Sequence, residues 1–206
     1  MKRKPILLNK LIKGSQSSRK TIGLLGIHHG VGVTYTGMLL AFYMGEELGK
    51  KTAYLECNNH HDLSLIEPLY RWNSVDKSCF VFRNITFYKD VRSEGIANIF
   101  NSDYECLILD FGIDMLNYRN EFLRCGTKIV ISSQAEWNKQ RFMRFIKSNE
   151  TIRGNETWLN FIPYADNKMV KRMKAKCNRM FFSIQYEEDP TKPSKENIRL
   201  FDKLFE

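Results

Sequence analysis

A short apolar stretch that ends in a glycine-rich turn sets the strongest limit on how this chain folds. Residues 21–34 read TIGLLGIHHGVGVT, which predicts a buried strand, a turn through Gly30 and Gly32, and a helix that starts near Thr34. This is the layout of a phosphate-binding loop, in which successive backbone N–H groups point at a phosphate beside a helix N-terminus. The motif requires a strand, a turn and a helix in succession.

The loop lacks the lysine that normally completes such a motif. In a P-loop the lysine places positive charge on the β- and γ-phosphates, and the hydroxyl residue after it holds Mg²⁺. Here Val33 occupies the lysine position and Thr34 the hydroxyl position. We therefore expect a fold with the shape of a nucleotide-binding site. The chain lacks the lysine charge on which phosphoryl transfer in P-loop proteins depends.

Length and composition favour one domain over residues 21–206, preceded by a basic arm and linker over 1–20. The 206 residues are 43% hydrophobic, which is enough for one substantial core. No apolar run approaches the roughly 20 residues of a membrane span, and the N-terminus lacks a signal-peptide pattern. The five cysteines are scattered and form no Cys-x-x-Cys pair, which argues against a disulfide framework or a zinc ribbon. We expect a cytoplasmic protein, with peripheral contact at a membrane left open.

After residue 21, apolar runs of strand length alternate with helical patterns. This alternation predicts an α/β fold with a doubly wound, mostly parallel sheet of about seven strands, covered by helices in a three-layer sandwich. The predicted strands lie near residues 21–27, 52–56, 84–89, 105–110, 127–132, 157–162 and 180–185. The predicted helices lie near residues 34–48, 91–100, 115–124, 136–148, 167–176 and 195–205.

Two of these strands end in polar side chains. The strand over 105–110 carries its first carboxylate at its carboxyl end, Asp110, which suits the Walker B role of orienting Mg²⁺ or its water. A helix-capping aspartate is the alternative. The strand over 52–56 ends at Glu56 and is followed by Asn58. Its tip should lie beside the glycine loop.

With these residues the chain resembles the MinD and ParA group of P-loop proteins, which carry the deviant loop G-K-G-G-V-G-K-T. Four loop positions match that pattern directly: Gly30, Val31, Gly32 and Thr34. Ile27 and His29 replace glycines, His28 replaces the signature lysine that reaches across a dimer, and Val33 replaces the P-loop lysine. Within this group the chain resembles the bacterial pilus-localisation and secretion-accessory proteins called TadZ or CpaE, in which degenerate loops are tolerated.

The resemblance implies a set of site residues and a cofactor. Glu56 and Asn58 stand where the group has an acidic pair, and Asn160 stands near the position that contacts the purine base. ATP or ADP with Mg²⁺ is the implied cofactor, with Thr34 and Asp110 at the metal. The implied nucleotide-binding residues are His28, His29, Gly30, Val31, Gly32, Val33, Thr34, Asp110 and Asn160. Asn58 and Asp110 are the catalytic candidates if the chain hydrolyses nucleotide.

Hydrolysis is expected to suffer most from the replaced residues. Each missing lysine removes a charge-assisted contact worth on the order of 1.5–3 kcal/mol. The amide of Asn58 can orient a water but cannot accept its proton. Weak nucleotide binding without turnover, complete loss of binding, and retained ATPase activity all remain open, and the first makes the chain a pseudo-ATPase.

The histidine pairs allow a further hypothesis. His28 and His29 lie in the loop, and His60 and His61 follow the second strand, so all four imidazoles are predicted at one edge of the sheet. Neutral imidazoles suit borderline metals such as Zn²⁺, whereas protonated imidazoles partly replace lysine below roughly pH 6.5. Polar loop residues without a ligand are the alternative.

The formal net charge of +9 leaves the partner class open. Lys168, Lys171, Arg172, Lys174 and Lys176 form a basic cluster on a predicted helix. Nonspecific contact with DNA or an anionic membrane through basic patches is one function, and a localisation, assembly or regulatory factor with protein partners in an assembly or secretion machine is the other. A homodimer is implied by the resemblance, although His28 in place of the signature lysine argues against the usual route.

Overall fold

The structure, a computed structural model, describes residues 19–69 and 73–206. The predicted arm over residues 1–20 lies outside this part of the chain except for its last two residues. The first of these, Arg19, donates hydrogen bonds to the carbonyl oxygens of Phe100, Ser102 and Tyr104, which lie in and after a helix on one face of the sheet.

Within the described residues, one sheet of nine strands runs through the molecule in the order β3-β4-β5-β2-β6-β1-β7-β8-β9. The strands are β1 (Lys20–Gly26), β2 (Thr52–Glu56), β3 (Asn73–Ser74), β4 (Cys79–Phe82), β5 (Ile85–Tyr88), β6 (Cys106–Asp110), β7 (Thr127–Ile131), β8 (Leu159–Pro163) and β9 (Phe181–Ile184). Only β4 runs against the others, since it pairs antiparallel with both β3 and β5. The predicted doubly wound, mostly parallel sheet is confirmed.

The predicted count of seven strands is too low for this sheet. All seven predicted strands are present, and β3 and β4 add an antiparallel extension at one edge. A connection of only two residues, Arg83 and Asn84, joins β4 to β5, and it contains no glycine that would mark a turn in the sequence. β3 has only two residues, which is too short for a periodic pattern.

The described helices cover both faces of the sheet. They are α1 (Val33–Phe42), α2 (Asp62–Ile66), α3 (Ser93–Phe100), α4 (Arg119–Arg124), α5 (Glu136–Ser148), α6 (Asn167–Cys177) and α7 (Lys195–Phe205). α2 was not predicted, and α4 begins four residues later than the expected start at 115. None of the helices that the structure describes has the length and apolar character needed to span a lipid bilayer.

The helix that follows the glycine loop departs from the predicted continuous helix over 34–48. It is α-helical only to Phe42 and continues as a π-helical turn over Tyr43–Glu47. The chain then turns at Gly49, whose φ of 62° is easiest for glycine. Leu40, Tyr43 and Met44 of this segment are fully buried in the core.

Two apolar layers flank the sheet because successive strand residues face opposite sides. Ile22, Leu24 and Ile108 pack with α1 and α7 in one layer. Leu25 and Leu109 pack with residues of α3, α4, α5 and α6 in the other. The sheet is thus covered on both faces, and polar groups concentrate at the carboxyl ends of its central strands.

Candidate phosphate-binding site

The glycine loop connects β1 to α1 with the backbone that a phosphate-binding loop needs. Gly30 has φ of 72° and Gly32 has φ of 89°, a region that residues with a side chain rarely adopt. Gly32 is the residue that caps the N-terminus of α1, and its carbonyl accepts a 3.0 Å hydrogen bond from Thr36 N. The glycines that the motif predicts therefore stand where the backbone demands them.

The loop presents open backbone donors. Its base is fixed by hydrogen bonds from Gly26 N to Gly112 O (2.7 Å) and from Ile27 N to Ile131 O (3.0 Å). From residue 28 to residue 34, no backbone N–H donates to another group within residues 19–69 and 73–206. Free amides beside a helix N-terminus attract anions, because the helix dipole adds partial positive charge at that end.

A pocket of about 210 Å³ lies against this loop. Its lining residues are His28, His29, Gly30, Val31, Gly32, Val33, Thr34, Tyr35, His60, Asp62 and Ile113. The structure thus brings seven of the predicted nucleotide-binding residues together with His60, which the histidine hypothesis placed at this edge, and it adds three that the sequence did not single out: Tyr35, Asp62 and Ile113. Among the described residues no lysine or arginine lines the pocket.

The residue in the lysine position lines the pocket but is mostly buried in the core. Val33 is only 8% exposed, and its Cγ2 atom lies 2.7 Å from the place where a Cβ on Gly26 would stand. Val31 is also buried, at 4% exposure. These valines anchor the loop to β1 by apolar packing, so the loop keeps its shape without the charge.

Asp110 lies at the floor of the site and is fully buried. Its carboxylate accepts hydrogen bonds from Tyr54 Oη (2.6 Å), Thr34 Oγ1 (2.9 Å) and Gly112 N (2.8 Å). Burial raises the pKa of Asp110 above its usual range, and the three donors oppose that shift. The predicted position of Asp110 beside Thr34 is therefore seen in the structure.

Asp62, at the start of α2, is a site residue that the sequence reasoning missed. Its Oδ2 atom lies 2.8 Å from Thr34 Oγ1, so the one hydroxyl hydrogen of Thr34 faces two carboxylates. A single hydrogen cannot satisfy both, and a cation at the hydroxyl would relieve their repulsion. Oxygen atoms of this kind are the donors that Mg²⁺ prefers. Thr34 and Asp110 therefore fit the predicted Mg²⁺ position chemically.

Asn58 and Glu56 are placed at the same edge but do not line the pocket. Asn58 donates through Nδ2 to Asp110 O (3.2 Å) and accepts through Oδ1 from His60 N (2.9 Å). Glu56 is 1% exposed and accepts through Oε1 from Leu63 N (3.1 Å). Both side chains therefore shape the turn between β2 and α2.

Asn160 does not reach the pocket. It is the second residue of β8, and its Nδ2 donates to Trp158 O and Met180 O, each at 3.0 Å. The pocket lies instead at the carboxyl ends of the strands, near Pro163. The amide of Asn160 joins β8 to the segment before β9, so the contact to a purine base that the resemblance implies does not form from this position.

A cluster of three tyrosines adjoins the pocket. Tyr35 lies in α1, Tyr164 follows β8 and Tyr186 follows β9, with ring centroids 5.4–6.5 Å apart. Tyr35 Oη accepts a 2.6 Å hydrogen bond from Glu187 N, and burial raises the pKa of Tyr35 to about 12. Tyr164 and Tyr186 are 45% and 67% exposed. The residues come from three distant segments, so no local pattern in the sequence predicts the cluster.

The four histidines reach one edge of the sheet but differ in their contacts. His28 lies 2.7 Å from His29 O through Nδ1 and 3.2 Å from Ser133 Oγ through Nε2. His61 pairs with Asp90 at 2.6 Å. Within the described part of the chain, no group of three or more His, Cys, Asp or Glu side chains is arranged to hold a metal ion. The structure therefore gives the zinc-type hypothesis no ligand set.

Comparison with solved structures reveals the fold. A plasmid partition protein of Borrelia burgdorferi bound to AMPPNP is similar with a TM-score of 0.65 and 14% identity, over 91% of this chain and 97% of that chain. The chain has the fold of the ParA and MinD proteins. MinD in the MinC:MinD complex of Aquifex aeolicus is similar with a TM-score of 0.64 and 15% identity, over 84% of this chain and 85% of that one.

A third solved structure extends the comparison to a protein with bound Mg-ADP. The septum site-determining protein MinD of Pyrococcus horikoshii, complexed with Mg-ADP, has a TM-score of 0.58 and 13% identity, over 90% of this chain and 94% of that one. No protein-family model matches the sequence, and no curated protein matches it. The ParA and MinD fold is thus visible in the structure where sequence identity is low.

Proposed function

We propose that the chain is a pseudo-ATPase of the ParA and MinD fold, which binds a nucleotide weakly through its loop and acts as a localisation, assembly or regulatory factor. The observation that carries the proposal is the pairing of open loop amides with a buried Val33. Backbone amides and the N-terminus of α1 supply attraction for phosphate oxygens, which supports binding. The lysine that would stabilise charge in the transition state is absent, which argues against turnover.

The arrangement of acidic residues argues in the same direction. Asn58 uses both ends of its amide, since it donates to Asp110 O at the end of β6 and accepts from His60 N in its own turn, so it is not free to place an attacking water. Asp110 is buried beneath Thr34 and has no open path to a reacting water among these contacts. Asp110 would act on Mg²⁺ at Thr34, so neither of the two catalytic candidates, Asn58 and Asp110, is then available as a catalytic base.

The tyrosine cluster is the proposed place of the nucleobase. Tyr35 lines the pocket, and Pro163, which precedes Tyr164, lies 3.5 Å from a Cβ built on Gly32. A base that extends from a phosphate in the loop can stack on the exposed rings of Tyr164 and Tyr186, since any base offers a π face to an aromatic ring. ATP or ADP with Mg²⁺ at Thr34 and Asp110 is the proposed ligand.

Exposed apolar side chains support a protein partner or a second copy of the chain at the same edge. Leu65 (69% exposed) and Leu69 (76%) lie in and just after α2, Leu116 (94%) follows β6, and Trp137 (72%) opens α5. These segments all follow the carboxyl ends of β2, β6 and β7. A nucleotide in the pocket would therefore sit beside a surface that suits protein contact.

The direct test combines occupancy and turnover on one sample. Equilibrium dialysis with radiolabelled ATP and Mg²⁺ gives the bound fraction, and phosphate release from the same mixture gives the hydrolysis rate. The proposal expects measurable occupancy without phosphate release above a no-protein blank. Hydrolysis that Asp110→Asn abolishes would contradict the pseudo-ATPase assignment, and absence of bound nucleotide would contradict nucleotide binding.

The second candidate function is nonspecific contact with DNA or an anionic membrane, and the exposed basic face of α6 favours it. All five basic residues of the predicted cluster, Lys168, Lys171, Arg172, Lys174 and Lys176, are exposed, and none takes part in an ion pair within the described residues. Met169 and Met173 on the opposite side of the helix are buried. Unpaired cations on one face attract a polyanion.

A further inference from the structure

We propose that the protonated imidazoles of His29 and His60 take the place of the missing loop lysine, so that the pocket binds an oligophosphate together with proton uptake. This inference rests on the proposed phosphate-binding function and specifies its ligand charge and its regulation. Binding would then be strongest under mildly acidic conditions. A lysine-containing loop keeps its charge over the same pH range, because lysine titrates near pH 10.4.

The two rings meet at the pocket from different segments. His29 belongs to the glycine loop and His60 to the turn between β2 and α2, and their ring centroids are 5.4 Å apart. Both residues line the pocket. Two hydrogen bonds of Asn58 fix the backbone of His60. Asn58 accepts a hydrogen bond from His60 N and donates one to Asp110 O, which ties the turn to β6.

These two rings differ from the other histidines in having free nitrogens. His28 is held by His29 O and Ser133 Oγ, and His61 is held by Asp90. Neither the His29 ring nor the His60 ring makes a hydrogen bond or ion pair within residues 19–69 and 73–206. Both are also exposed, so their nitrogens are available to a ligand.

The surrounding charges couple protonation to anion binding. The titratable groups that face these rings are Asp62 from α2, Tyr35 from α1 and His28 from the loop. Asp110 is buried beneath Thr34, and the segment after β6 contributes only the apolar Ile113 to the pocket. Two imidazolium rings 5.4 Å apart repel each other while the pocket is empty, and a polyanion between them and the loop amides removes that repulsion. Ligand binding therefore draws protons onto the pair.

The pH dependence follows from this coupling. Imidazole side chains ordinarily take up a proton near pH 6.5. A polyanion bound in the pocket stabilises the protonated rings, so protonation in the complex extends to higher pH. An equilibrium that takes up one proton weakens about tenfold for each unit of pH increase. Phosphate ligands become more negative as the pH rises, and this alone would strengthen their binding to a fixed positive charge. The inference predicts the opposite trend, in which binding weakens as the pH rises.

The test is calorimetric titration of the full chain with inorganic tripolyphosphate and with ATP from pH 5.5 to pH 8.5. Each titration is repeated in two buffers of different ionisation enthalpy, because the difference in heat reports the number of protons taken up. The inference predicts net proton uptake and a loss of about tenfold in affinity per pH unit above pH 6.5. His29→Gln/His60→Gln removes both effects, whereas His61→Gln, the matched control, leaves them unchanged.

The outcomes separate this inference from the proposed function. Binding that is independent of pH, or a pH dependence that persists in the double variant, overturns the histidine inference and leaves the phosphate site intact. Absence of binding at every pH overturns both. The single variant His60→Lys tests the inference even if the double variant does not fold. It is predicted to retain binding at pH 8, where the unchanged chain has lost it. Failure of His60→Lys to bind there, with its thermal unfolding unchanged, also contradicts the inference.

Discussion

Tyr54, in the middle of β2, donates a 2.6 Å hydrogen bond to Asp110 at the carboxyl end of β6. Both residues are fully buried. The contact requires Gly37 in α1, because a Cβ at that position would stand 2.6 Å from Tyr54 Cε2. Burial and the Asp110 charge raise the pKa of Tyr54 well above its usual value, so the phenol remains a donor. The elements α1, β2 and β6 thus pack together around the Asp110 carboxylate at the base of the loop.

Removing this donor is predicted to destabilise the fold. Tyr54→Phe leaves the buried carboxylate with Thr34 and Gly112 as donors, and the loss of a hydrogen bond to a buried charged group costs about 1–3 kcal/mol. Urea unfolding at pH 7 measures the change. Tyr43→Phe is the control, because Tyr43 donates to the partly exposed Asp202, and its loss should cost less. Equal effects of the two substitutions would contradict the special role of the contact at Asp110.

Glu56 gives a prediction about pH and stability. Its Oε2 atom is buried and accepts no hydrogen bond of normal geometry within the described residues, and burial raises the pKa of Glu56. A carboxyl group with a raised folded-state pKa stabilises the fold below the unfolded-state pKa, and this contribution is lost as the pH rises through the folded-state value. Glu56→Gln keeps an oxygen for Leu63 N and removes the charge.

The gain from Glu56→Gln should therefore grow with pH. On the order of 1 kcal/mol is expected at pH 7, because the substitution removes a carboxylate charge that burial deprives of solvent. At pH 4 the difference should be close to zero, because the carboxyl group of the unchanged chain is then protonated. Denaturant unfolding at the two pH values measures both. A gain that is larger at pH 4 than at pH 7 would refute the account of Glu56.

Restoring the loop lysine is predicted to strengthen phosphate binding. Val33→Lys adds a charged donor at the position from which P-loops reach the phosphates, and a hydrogen bond to a charged group contributes about 1.5–3 kcal/mol. Affinity for ATP should rise at least tenfold at pH 8 in a calorimetric titration. Val33→Leu, which changes packing without charge, should leave the affinity unchanged. An equal gain in both variants would assign the effect to loop packing.

The basic face of α6 makes a separable prediction. Lys168→Glu/Lys171→Glu/Lys174→Glu reverses charge on exposed positions of that face, so any salt-sensitive retention on DNA–cellulose or on anionic vesicles should be lost. ATP binding should not change, because none of these residues lines the pocket. Retention that survives the triple substitution would exclude α6 as the polyanion site.

The sequence predicts most of the fold because its strands are buried on both faces and its helices carry clear apolar stripes. β1, β2, β6 and β7 read as continuous apolar runs, and they place the loop and Asp110 correctly. α2 is only five residues long, and β4 is separated from β5 by two residues, so neither produces a long enough period to be recognised.

The candidate site is predicted less completely than the fold. Residues local to the glycine loop are in place because the motif fixes their spacing. Asp62 reaches Thr34 through the short helix α2, and Tyr164 meets Tyr35 only through the order of strands in the sheet, so no sequence spacing signals either contact. The contact of Asn160 with a purine base, which the resemblance implies, does not fit the structure. Asn160 lies near the start of β8, whereas the pocket lies at the carboxyl ends of the strands.

The central claim, a phosphate-binding loop that works without its lysine, is tested most directly by calorimetric titration of Mg-ATP at pH 6 into the unchanged chain and two arginine variants. Gly32→Arg blocks the loop at φ of 89°, and Gly154→Arg imposes a similar strain at φ of 82° on a glycine that does not line the pocket. The account predicts a Kd below about 1 mM for the unchanged chain and for Gly154→Arg, and no binding for Gly32→Arg. Equal binding by all three proteins, or no heat from any of them, would contradict it.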